Sequence, residues 1–129
     1  MADAKRVERP LSPFMIGTYY RPQMTSISSI MVRITGIVSL GTSVLIVLWL
    51  LTAAGDGEGF ATMDGLLRGF LGDIVLLLAT WAIWYHVLGR LRHAIWDFGY
   101  LLEVDVSEKM GWGMFIGATV LTLLTIIIV

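Results

Sequence analysis

Three runs of this chain are free of Asp, Glu, Lys, Arg and His for long enough to decide what solvent it folds in. Ile34 to Gly55 lies between Arg33 and Asp56, Ile74 to Tyr85 lies between Asp73 and His86, and Met110 runs on to Val129. A helix rises about 1.5 Å per residue, so roughly 20 apolar residues cross the roughly 30 Å hydrocarbon core of a bilayer. The first and third runs fit directly. The second fits only if it extends past Asp73 or takes in His86 and reaches Gly89, which puts His86 inside the membrane. Of the 129 residues 57% are hydrophobic and 15% are charged, too little polar surface for a soluble domain of this size. The expected fold is an all-α integral membrane domain, 1–129, with an arm over 1–28 and three transmembrane helices, up-down-up, at about 29–54, 68–97 and 109–129.

The connections read as loops. Gly55-Asp56-Gly57-Glu58-Gly59 is a glycine-rich acidic break, with Phe60 and Met63 near the interface. Tyr100 to Lys109 is short and acidic, and Pro10, Pro13 and Pro22 discourage a long helix in the arm. Met1 to Pro10 holds no apolar run suited to a signal peptide, so the first span is expected to direct its own insertion. Lys5, Arg6, Arg9, Arg21 and Arg33 precede the first span and Arg90, Arg92 and Lys109 flank the second connection, eight basic residues against the single Arg68 on the other side. That asymmetry predicts a cytoplasmic N-terminus. A net charge of −1 predicts no nucleic-acid partner, and the absence of cysteine excludes disulfides, iron–sulfur ligation and C-x-x-C-H haem attachment.

His86, Arg90, His93 and Asp97 recur at spacings of four, three and four, which places them on one stripe of a helix. Gly89 lies at its edge, where a missing side chain admits something bulky. Arg90, Arg92, His93 and Asp97 sit where side chains snorkel to the headgroups or reach a polar cavity. His86 lies about 10 Å deeper than His93. An ionisable group at that depth is a functional candidate, and neutral imidazole is the usual protein ligand of haem iron. A packing histidine bonded to a neighbouring carbonyl is the competing reading. The two histidines leave one helix in the same direction and cannot sandwich a haem, so a bis-histidine haem would need its second ligand from another chain of a multi-subunit bundle.

Ser29 and Arg33, four apart at the start of the first span, pair a hydroxyl with a guanidinium at the membrane surface. They suit a neutral carbonyl ligand or a haem propionate, though a helix cap and a positive-inside anchor are the ordinary roles of such residues. The tryptophans at 49, 81, 84, 96 and 112 read as an interfacial belt, and Gly113-x-x-x-Gly117 as a packing pattern.

Three segments, in order, resemble the cytochrome b membrane-anchor subunit of succinate dehydrogenase, the larger anchor of complex II. Arg9-Pro10-Leu11-Ser12-Pro13 is similar to the family's R-P-L-S-P, and Ser29-Ile30-Met31-Val32-Arg33-Ile34-Thr35-Gly36 to its S-I-x-H-R-x-[ST]-G. His86-x6-His93 with Trp96-Asp97 resembles its H-x-x-x-G-x-R-H-x-x-x-D, including Gly89 and Arg92. The resemblance implies haem b with His86 as axial ligand to the iron, and the opposite ligand from a smaller anchor subunit. It implies that Ser29 and Arg33 line a ubiquinone site, that Asp97 lies near quinone and haem, and that Arg33 and His93 stand near the propionates. The implied partners are that smaller anchor, an iron–sulfur subunit and a flavoprotein, passing electrons from succinate to ubiquinone, with no catalytic residue in this chain alone. Val32 departs from the family's histidine. With eight residues ahead of Arg9, a bacterial inner membrane is the expected location. A fumarate reductase anchor, a haem-free structural anchor and a small transporter using His86 for protons are the alternatives.

Overall fold

The computed structural model describes residues 13–17, 19–55 and 57–129. The segment resembling R-P-L-S-P, Pro13 apart, and the basic residues Lys5, Arg6 and Arg9 lie outside them. A 3-10 turn at Pro13–Met15 precedes four helices: α1 (Met24–Ala53), α2 (Gly57–Leu67), α3 (Phe70–Asp97) and α4 (Val104–Ile128). The long helices, of 30, 28 and 25 residues, are each apolar and long enough to cross a membrane. At about 1.5 Å per residue each exceeds the roughly 30 Å hydrocarbon core, so their ends project into the headgroups.

α1 and α4 start earlier than expected because caps and dipoles, as well as apolar runs, set where helices begin and end, whereas α3 starts two residues later than expected. α1 starts at Met24, five residues earlier than about 29, directly after Pro22 and its N-cap Gln23. Ser26 Oγ accepts the Gln23 N–H at 3.2 Å and donates to the Gln23 carbonyl at 2.9 Å, meeting groups a helix start leaves free. α4 starts at Val104 rather than about 109, with Asp105 in its first turn, where a carboxylate complements the helix dipole. The glycine-rich connection expected as loop holds α2. Glu58 favours its first turn, Phe60 meets Trp49 with ring centroids 5.8 Å apart, and an Asp64–Arg68 pair at 2.7 Å closes its end.

α3 stops in a Schellman motif. Gly99 N–H donates to Trp96 O at 2.8 Å and Tyr100 N–H to Ile95 O at 3.2 Å, and Gly99 takes the left-handed backbone the motif requires at φ 78°. Leu101 is also left-handed, φ 57°, and its carbonyl accepts the Trp96 indole N–H at 3.2 Å.

α3 is the central helix, antiparallel to both α1 and α4. Against α1 it pairs Arg92 with Ser28, Gly89 with Val32, and His86 with Gly36. Its buried residues are mostly small, Gly72, Ala79, Ala82 and Gly89, with Tyr85 and Arg92 between them. Lipid gives helices no hydrophobic reason to associate, so close packing and hydrogen bonds must hold the bundle. Val32, Tyr85, Met114 and Ala118 form the core. The Tyr85 ring lies 5.2 Å from Trp81 and 4.8 Å from Phe115.

Two sequence readings change here. Trp81 and Trp84 do not form an interfacial belt; their indole N–H groups cross to Thr119 and Thr125 of α4 at 3.2 and 3.0 Å. The packing stripe of α4 is Ser107, Gly111, Met114, Ala118 and Thr122. Gly113 is exposed, and of the expected glycine pair only Gly117 meets α3, at Leu88. Most apolar residues on the remaining faces of the three spans stay exposed, as lipid or further helices would require.

Candidate functional site

The face of α1 that carries Ser28, Val32 and Thr35 is buried against the bundle. The neighbouring face, turned about 100° by one residue, carries Ser29, Arg33, Gly36, Ile37 and Leu40 into a groove of about 510 Å³ whose other wall is His86, Arg90 and His93 of α3. The groove lies at the end of the bundle that holds the start of α1 and the end of α3. Its size falls in the usual range for small-molecule sites, and its lining holds three groups able to carry positive charge besides His86, and no carboxylate.

The His86 ring is fixed from two sides. Its Nδ1 lies 3.0 Å from the Val32 carbonyl, an acceptor, so Nδ1 bears the proton. Arg90 Nε–H donates to His86 Nε2 at 3.2 Å, and a guanidinium can only donate. Both bonds demand one tautomer: Nδ1 protonated, Nε2 carrying the lone pair. An imidazole whose second nitrogen is tied to a carbonyl is the arrangement that orients histidine ligands to metals. Gly36 makes room for the ring, since a Cβ there would lie 2.9 Å from His86 Cε1. The carbonyl contact that the sequence set against a ligand role is present at Nδ1, and it leaves the Nε2 lone pair facing Arg90.

His93 is anchored within its own helix, Nδ1 to Gly89 O at 2.7 Å, and its ring meets Trp96 edge-on at 5.4 Å. Two hydroxyls of α1, those of Thr25 and Ser29, make no hydrogen bond among the described residues. Ser28, Thr35, Ser39, Thr42, Ser43 and Thr52 all turn back to carbonyls three or four residues earlier, the usual way to satisfy a hydroxyl in lipid. Ser29 makes no such bond, and it lines the groove. Nor is it a helix cap, since α1 begins at Met24. Asp97 shares the stripe with His86 but ends α3, exposed, and does not line the groove.

Two residues differ from their sequence reading. Arg92 does not snorkel. It is 2% exposed, donates through Nη1 to Ser28 Oγ at 2.8 Å, and lies 4.7 Å over the Trp96 ring. Its buried Nε has no partner among the described residues. Ser28, which receives that bond, had no sequence signal to separate it from Ser29. Gly89 admits the side chains of Val32 and Met114, on which a Cβ would intrude, so what approaches it is α1 and α4. The motif's glycine, four residues after the histidine, falls on Arg90; Gly89 is one place early.

Residues 5–125 match the family described as succinate dehydrogenase/fumarate reductase transmembrane subunit. The chain is 42% identical over 128 residues to the succinate dehydrogenase cytochrome b556 subunit of Paracoccus denitrificans, covering 99% of this chain and 97% of that one. It is 31% identical to the cytochrome b556 subunit of Rickettsia conorii, over 91% of this chain and 90% of that one. It is 35% identical to the cytochrome b560 subunit of Marchantia polymorpha, over 95% and 91%.

Proposed function

Because the chain belongs to the succinate dehydrogenase/fumarate reductase transmembrane subunit family, we propose that it is the cytochrome b anchor of a succinate:ubiquinone oxidoreductase and that its groove serves haem b and ubiquinone. The observation that carries this reading is the His86 ring, oriented by Val32 O so that Nε2 keeps its lone pair on a groove rimmed by Arg33, Arg90 and His93. That donor set fits haem: a neutral nitrogen for the iron and cations for two propionates. When bound, the haem supplies one-electron transfer within the membrane. His86 would hold the iron from one side. His93 leaves the same helix, so a second histidine ligand would come from another chain, which the family resemblance makes a smaller anchor subunit.

Ser29 and Arg33 are the quinone-facing pair. The unspent Ser29 hydroxyl can donate to a quinone carbonyl, and Arg33 supplies charge as electrons arrive. Asp97, exposed at the end of α3 outside the groove, tunes the quinone site or relays protons toward it, and His93 and Arg33 stand toward the propionates. The iron–sulfur subunit and flavoprotein lie on the same side of a bacterial inner membrane as this end of the bundle, which is cytoplasmic by the charge asymmetry. The family match covers residues 5–125, which disfavours a transporter.

The test is a reduced-minus-oxidised spectrum of the purified complex. His86→Ala should remove the b-type band while the complex still assembles. A band of unchanged position and intensity would show that another residue holds the iron.

A further inference from the structure

Arg90 claims the same lone pair that iron would use. Its Nε–H points at His86 Nε2 from one helical turn away, 3.2 Å off. An imidazole nitrogen has one lone pair in the ring plane, so this hydrogen bond and an iron–Nε2 bond exclude each other. Coordination must therefore release Arg90. The released guanidinium keeps its charge, and His86 keeps its Nδ1 proton on Val32 O, so no proton moves. The groove lining offers Arg90 no carboxylate. Asp97, the one acid of the stripe, lies seven residues on, about 10 Å along the helix.

We propose that Arg90 is a ligand-contact residue of this groove, caging the Nε2 of His86 until iron claims it and then turning to a carboxylate of the incoming porphyrin. The proposal rests on the haem reading above. The motif this segment resembles has glycine where Arg90 stands. A guanidinium exposed at the rim costs little to swing, and a charge-assisted bond to a carboxylate is stronger than one to a neutral imidazole.

The experiment separates this proposal from the reading beneath it. The complete complex, isolated from haem-deprived cells, is titrated with iron protoporphyrin IX and with its dimethyl ester, which keeps the iron and loses both carboxylates. Wild type should prefer the diacid. Arg90→Ala should reduce that preference about tenfold, the worth of one hydrogen bond to a charged group, and should take up the diester at least as well as wild type because the competitor for Nε2 is gone. Arg90→Lys should keep part of the preference. An unchanged diacid-to-ester ratio in both variants overturns the proposal, places the freed Arg90 at lipid headgroups, and leaves the haem reading standing. Wild type taking up neither porphyrin overturns both.

Discussion

Replacing Gly36 with alanine should disturb the His86 site without touching it chemically. A Cβ at Gly36 would lie 2.9 Å from His86 Cε1 and 3.2 Å from Nδ1, whereas ordinary contact begins at 3.4 Å. The ring must retreat by about 0.5 Å, which takes its 3.0 Å bond to Val32 O toward the limit of hydrogen-bond geometry. Overpacking of this kind costs about 1–3 kcal/mol. Alanine in a helix interior gains about 1 kcal/mol over glycine, so the net change in stability is small while the ring loses the bond that fixes its tautomer. Loss of such outer support typically costs about 10- to 100-fold in metal affinity. The assay is haem content per flavin in purified complex, with the midpoint potential of the b band alongside thermal stability. Gly41→Ala is the control: nothing lies within 4 Å of its would-be Cβ, and it should stabilise α1 without changing the haem. If Gly36→Ala retains wild-type haem content and potential, the claim that Gly36 and Val32 O orient the ligand is refuted.

Ser29→Ala should lower quinone reduction by about tenfold or more, one charge-assisted or neutral hydrogen bond in the transition state, while succinate oxidation by a soluble dye stays intact; equal loss of both activities removes Ser29 from the quinone site. Ser28→Ala leaves the buried Arg92 guanidinium with Nη1 as well as Nε unpaired, and should cost about 1–3 kcal/mol; no change in the complex's resistance to thermal dissociation would mean Arg92 finds another partner. Gly89→Ala drives a methyl into Val32 and should cost about 1–3 kcal/mol, and Val32→Ala in the same chain should restore much of it; failure of that rescue would place the clash elsewhere.

The three spans were legible from local sequence alone, because the absence of charge over about 20 residues is a property of each segment by itself. The place of His86 inside the second long helix was legible for the same reason: the second run is too short without it. Rotation of one helix against another was not. In lipid nearly every face of a span is apolar, so hydrophobic periodicity carries little record of which face packs, and Ser28 and Ser29 look alike until α3 lies against one of them. Only the tertiary structure put Arg92 inside against Ser28, left Asp97 outside the groove, turned Trp81 and Trp84 across to α4, and set Val32 O against Nδ1 of His86. Those outcomes depend on contacts between residues as many as 64 positions apart, and no local pattern encodes which partner a side chain will meet when its helix turns by one residue.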